Sequence, residues 1–93
     1  MTYNLYSMRD AKTGFMTPTI EVNDDAARRA FVHAIWNSDG ILHSFCEDFS
    51  LYRIGTFNSN SAVISPELVP VHVMDGAEAL RAGATHGGDP DAL

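Results

Sequence analysis

The sequence predicts an α+β fold, a small antiparallel sheet of two hairpins with a candidate fifth strand and one helix packed on a face. Three observations carry that reading. Tyr3–Met8 and Phe49–Phe57 are short and rich in aromatic and apolar residues, as strands are. Each is followed by a polar turn and a second extended piece. Between them, one segment repeats its apolar residues at helical spacing.

The elements follow in order. After Tyr3–Met8, the cluster Asp10-Ala11-Lys12-Thr13-Gly14 reads as a turn, with glycine at its end where positive φ is often required. Phe15 to Val22 returns as a second extended piece. Pro18 within it cannot donate a ladder hydrogen bond, so this piece belongs at a sheet edge or is only partly paired. Tyr3–Val22 is therefore the first hairpin. Asn23-Asp24-Asp25 opens a helix, since Asn or Asp caps free N–H groups and acidic side chains oppose the positive end of the dipole. The helix is expected from Asp24 to Asn37, stopping before Ser38-Asp39-Gly40. Ala27, Ala30, Phe31, Ala34 and Ile35 fall on one arc and form its core face, and the alanines imply close approach to the sheet. Arg28, Val32 and Trp36 form a row beside that arc, with Arg29 and His33 further round. The core stripe alone does not explain a valine and the only tryptophan there.

Ile41–Asp48 reads as an irregular connection with Ile41, Leu42 and Phe45 tucked under it. Phe49–Phe57 alternates, placing Phe49, Leu51, Arg53, Gly55 and Phe57 on one side and Ser50, Tyr52, Ile54 and Thr56 on the other. Asn58–Ser61 turns and Ala62–Ser65 returns, closing the second hairpin. Leu68–Met74 is the candidate last strand, its pairing limited by Pro66 and Pro70. Phe31, Ala34, Ile35, Leu51 and Ile54 are expected in the core. Residues 1–74 are assigned to one domain. From Asp75 the composition shifts to Gly, Ala, Asp and His, so 75–93 is expected as a mostly disordered tail with one helical turn near Gly76–Leu80. There is no internal repeat.

Ninety-three residues suit a single domain with a thin core, to which dimerisation through an edge strand or the Trp36 flank would add burial. A 45% apolar and 19% charged composition is globular, and a net charge of −6 argues against coating nucleic acid by bulk charge. One cysteine excludes an internal disulfide and a multi-thiolate zinc site. No apolar run approaches the roughly 18 residues of a membrane span, and no basic-then-apolar leader opens the chain. A small, acidic, reduced, soluble domain is expected, without an enzyme signature.

Few residues offer chemistry. His43, Cys46 and the upstream His33 are a poor ligand supply for zinc, and nothing activates Cys46 as a nucleophile with His43. Glu47 and Asp48 are adjacent carboxylates that read as a solvated turn. Gly87-Gly88 lacks the strand–loop–helix setting of a phosphate cradle. No cofactor and no metal are expected. Two surfaces remain. Arg9, Lys12 and Arg53, with Tyr6 and Tyr52 as stacking faces, form a candidate single-stranded nucleic-acid platform; the competing reading makes those aromatics ordinary sheet residues. Arg28, Arg29, Val32 and Trp36 form a candidate protein-contact patch, because Trp and Arg are enriched at interaction hot spots. The competing reading there is a helix edge covered by Ile41–Phe45.

Two blocks go beyond generic pattern: Tyr6-Ser7-Met8-Arg9-Asp10-Ala11-Lys12-Thr13-Gly14-Phe15 followed by Pro18, and Glu47-Asp48-Phe49-Ser50-Leu51-Tyr52-Arg53-Ile54-Gly55-Thr56-Phe57. With Asn23-Asp24 and Arg28–Phe31 between them, the chain from Met1 to Val73 resembles the small non-structural protein of gokushovirus-type microviruses, single-stranded-DNA phages of bacteria. The resemblance implies a non-enzymatic accessory role in single-stranded DNA synthesis or genome packaging, in the host cytoplasm, and no defined active site. The expected partners are single-stranded DNA, a phage replication or capsid protein, or a second copy of the chain. The alternative is a protein–protein adaptor or capsid-assembly factor that never touches DNA.

Overall fold

The computed structural model describes residues 1–84. An antiparallel sheet carries one long helix and two short ones on a single face. The strands are β1 (Thr2–Asp10), β2 (Gly14–Phe15), β3 (Thr19–Glu21), β4 (Phe49–Asn58) and β5 (Ile64–Asp75). The helices are α1 (Asp24–Asn37), α2 (Ile41–Ser44) and α3 (Gly76–Ala82), with a single 3-10 turn at Cys46–Asp48. The order across the sheet is β2-β1-β4-β5, and β3 continues the β2 edge by pairing with β1.

The first hairpin forms as its sequence requires. Gly14 adopts φ 110°, a conformation glycine takes without steric cost, and the chain turns there into β2. After a last bond from the Met16 N–H to the Met8 carbonyl at 2.8 Å, Thr17 and Pro18 leave the ladder, which splits the returning piece into β2 and β3 along one edge of β1. Helix α1 spans the expected residues, and the Asn23 side chain accepts from the Ala26 N–H at 2.8 Å. Ala27, Phe31 and Ile35 are buried in the core with Tyr6, Phe49, Leu51, Val73 and Met74. Ala34 and Ile54 are only half-buried, and Ala30 is exposed, so the core arc of α1 is narrower than its pattern suggests.

Four expectations change. The return strand and the candidate fifth strand are one continuous β5, because Pro66 and Pro70 sit on an edge strand where a missing donor faces no partner. The register shifts between Arg53↔Val71 and Gly55↔Pro66, so Glu67–Pro70 bulges opposite Ile54 and leaves Leu68 fully exposed. A second irregularity lies between β1 and β4, where Leu5↔Gly55 is followed directly by Tyr6↔Arg53. Ile54 is the extra residue, and beyond it the alternation of β4 reverses: Gly55 and Phe57 share a face with Tyr52, not with Leu51 and Arg53.

The segment 41–48 is ordered as α2 and the 3-10 turn, with Leu42 packed on the core but Ile41 and Phe45 largely exposed rather than tucked under. Ordered structure also continues past residue 74. Helix α3 starts with a capping box between Asp75 and Glu78 and buries Gly76 and Ala79. A Cβ at Gly76 would overlap the Cys46 carbonyl, so glycine there lets α3 seat against the 3-10 turn. The rest of the expected tail, from residue 85 and including Gly87-Gly88, lies outside the described residues.

Candidate nucleic-acid interface on the open sheet face

The two faces of the sheet treat aromatic and charged residues differently. On the helix-covered face, Tyr6 is 1% exposed, and its hydroxyl donates to Asp24 Oδ1 at 2.6 Å while accepting from Asn4 Nδ2 at 3.0 Å. Arg53 lies opposite Tyr6 and donates from Nη1 to Asp24 Oδ2 at 2.8 Å and from Nε to Glu67 Oε2 at 3.0 Å. The network joins β1, α1, β4 and the β5 bulge. Burial, and then the bond to Asp24, push the Tyr6 hydroxyl up to about 12. The Tyr6 hydroxyl, then Arg53, hold the Asp24 carboxyl below its usual value. Tyr6 is thus no stacking face and Arg53 no free cation, which corrects both expectations. Their chemistry is spent inside the fold.

On the face without helices, Phe15 from β2, Tyr52 from β4 and His72 from β5 form a row. Phe15 and Tyr52 meet edge-on with centroids 5.5 Å apart, and Tyr52 and His72 do the same at 5.5 Å. The row crosses β1 at Ser7, which lies opposite Tyr52; a small side chain there leaves room for rings from two flanking strands to touch. Ser7 is itself buried and donates to the Met16 carbonyl at 2.6 Å. Phe15 remains 50% exposed, and Tyr52 is half-buried. Arg9 lies opposite Phe15 and is exposed, and Lys12 projects from the adjoining turn. Among the described residues neither cation has an ion pair. His72 Nε2 lies 2.8 Å from Asp75 Oδ1, and Ser50 Oγ donates to the same oxygen at 3.0 Å. Those two contacts, His72 first, lower the Asp75 carboxyl.

The structure therefore sets Arg9 and Tyr52 on the open face with Lys12 on the adjoining turn, buries Tyr6, and ties the partly exposed Arg53 into ion pairs. Sequence reasoning missed Phe15 and His72. The signal for Phe15 was its place straight after the turn that holds Lys12; His72 required the register of β5.

The helix flank behaves unlike a free patch. Trp36 Nε1 donates to the Leu80 carbonyl at 3.1 Å, its ring meets His43 edge-on, and a Cβ at Gly83 would overlap it. Val32 and Trp36 pack against the core, so α3 supplies what the core stripe left unexplained. Arg28 pairs with Asp25 at 2.7 Å on the surface, and Arg29 is exposed. Cys46 is buried, while His43 turns away to place Nδ1 2.9 Å from the Ile35 carbonyl. Among the described residues no three His, Cys, Asp or Glu side chains converge on a point, and no helix is long and apolar enough to cross a membrane.

Comparison with curated proteins and with solved structures finds no match. The family model described as Phage ORF5 protein matches residues 3–79, from the start of β1 to the middle of α3. That span contains all of the sheet but Thr2, the Tyr6–Asp24–Arg53 network and the ring row, and the chain belongs to the Phage ORF5 protein family.

Proposed function

We propose that this phage protein is a non-enzymatic accessory factor of the host cytoplasm that contacts single-stranded DNA during genome synthesis or packaging, in a microvirus of the gokushovirus type. The observation that carries the reading is the Phe15–Tyr52–His72 row on a helix-free sheet face, with Arg9 opposite Phe15 and Lys12 on the adjoining turn, neither in an ion pair among the described residues. Rings on an open sheet accept bases by sequence-tolerant stacking, worth about 1 to 3 kcal/mol per base. Two nearby cations supply phosphate contacts. The net charge of −6 opposes phosphate at long range, so the contact is local and weak, on the order of micromolar at low salt. Fluorescence anisotropy with labelled oligo-dT tests it. Binding should weaken with salt at a slope near −0.7 per phosphate, roughly −1.4 for Arg9 and Lys12 together. Phe15→Ala and Arg9→Ala should each reduce it, and no binding at low ionic strength would remove the reading.

A second reading has its own support. Past the bulge, the same face presents Leu5, Ile20, Phe57 and Ile64 without a charge among them, and Leu68 and Val69 stand exposed on the β5 edge. A protein–protein adaptor, for a replication or capsid protein or a second copy, would use such a surface. Light scattering of the purified chain and of Ile64→Lys separates the self-association form of this reading from the monomer.

A further inference from the structure

A hollow of about 360 Å³ opens at the end of the sheet between the β1–β2 turn and α2, and Lys12 of that turn borders both it and the surface beside the ring row. Its walls are Ile41, Phe45 and Phe49, and its polar groups are Asp10, Asp48 and Lys12. Ile41 is 64% and Phe45 53% exposed, an unusual placement for large apolar side chains on a four-residue helix and its cap. The Ala11 N–H donates to the Asp48 carbonyl at 2.9 Å, which ties the turn to the 3-10 segment and holds the two walls in place.

Asp10 is the telling residue. It is only 9% exposed, yet among the described residues no cation lies within ion-pair distance of it. Its Oδ1 accepts the Lys12 backbone N–H at 2.9 Å, and its Oδ2, which has no hydrogen bond among the described residues, stays open to solvent, since no buried side-chain oxygen among them lacks a partner. Asp48 is half-buried beside it, also without an ion pair, and the Lys12 ammonium pairs with neither. A carboxylate that keeps one oxygen open beside apolar walls is placed to take a positive group from outside, together with that group's apolar stem. Two carboxylates against one ammonium leave this hollow acidic, in a chain that is acidic throughout.

We propose that the hollow docks a segment of a partner protein in which an arginine or lysine stands next to an aliphatic or aromatic residue. The cation meets Asp10 and Asp48. Its methylene stem and the neighbouring apolar side chain lie along Phe45 and Ile41, as amphipathic side chains do where an apolar wall adjoins a polar group. The size and the apolar lining with few polar groups match sites that hold small organic groups, and the net charge draws a basic partner inward. The site uses the helix-covered side of Asp10, and so stands whether or not the ring row binds DNA.

The test is an NMR titration of the ¹⁵N-labelled full chain with acetyl-Leu-Arg-Leu-amide, and with acetyl-Leu-Glu-Leu-amide as charge-reversed control. Saturable shifts confined to amides 10–13 and 41–49 are expected with the arginine peptide and none with the glutamate peptide. Asp10→Asn keeps the Oδ1 acceptor for the Lys12 N–H but removes the charge, and should weaken binding about tenfold. Phe45→Ala changes an exposed side chain, leaves the fold intact, and should weaken binding measurably. Absence of shifts with the arginine peptide, equal shifts with both peptides, shifts centred on the ring row, or unchanged affinity in Asp10→Asn or Phe45→Ala would each overturn the proposal.

Discussion

The two faces of this sheet carry the same kinds of residue to opposite ends. Under α1, a tyrosine and an arginine are tied to Asp24 and Glu67 by hydrogen bonds of 3.0 Å or less. On the open face, a tyrosine meets only other rings, and the arginine beside it has no ion pair among the described residues. Residue type does not decide whether a ring or a cation is available to a ligand. Strand parity does, and parity is set by which side the helix covers and by where a bulge resets the alternation.

The widest contrast is in stability. Phe31→Ala empties a 3% exposed site under the sheet and should cost roughly 3 to 5 kcal/mol, enough to unfold a domain of this size in denaturant titration. Phe15→Ala on the open face should leave the unfolding midpoint nearly unchanged. Equal losses would erase the distinction between the faces.

Ligand binding should reverse that order. Phe15→Ala should cost about 1 to 3 kcal/mol of oligo-dT affinity, whereas Tyr6→Phe, which removes a buried hydroxyl, should leave affinity alone. A loss of binding in Tyr6→Phe would mean that the helix-covered face reaches the ligand after all.

The polar network gives pH signatures of both signs. Asp24 has a lowered folded-state value, so its contribution is present above the ordinary carboxylate value and is lost as pH falls through the folded one. Acid unfolding should therefore lose part of its steepness in Asp24→Asn, with a neutral-pH cost of about 1 to 3 kcal/mol for the broken charged hydrogen bonds. Tyr6 is raised to about 12, so the folded state holds its proton where the unfolded chain releases it, and stability falls as pH rises from the usual tyrosine value of 10.0 towards 12. Tyr6→Phe should flatten that alkaline decline. The open-face Phe15→Ala variant should show both pH profiles unaltered.

The smallest effect is expected in the β4–β5 turn, away from both faces. Ala62 adopts φ 64°, the left-handed region that costs a side chain about 1 to 2 kcal/mol. Ala62→Gly relieves this at a smaller cost in chain entropy, for a net gain of up to about 1 kcal/mol in thermal unfolding.

Local chemistry made some of this molecule legible without any structure. Asn23 capping α1, the glycine closing the first turn, Pro18 interrupting the returning edge and the alternation of Phe49–Arg53 all act within a few residues, where neighbours in the chain are neighbours in space. The antiparallel sheet with a helix on one face followed from those pieces. The shared face of Arg9 and Tyr52 followed too, because both stand on the regular halves of their strands.

What the tertiary structure alone decided lies across the chain. The extra residue at Ile54 moved Phe57 and Gly55 to the other face, and a bulge depends on how two distant strands register rather than on the pattern of either. Arg53 became an internal clamp because α1 delivers Asp24 and the β5 bulge delivers Glu67 to it, from 29 residues before and 14 after. Trp36 found its place under α3, a helix rich in the small residues that had marked the segment as a tail. Small residues carry little apolar signal in a sequence. Docked closely against a tryptophan and a carbonyl, they are what permits the contact, and only the assembled fold distinguishes the two.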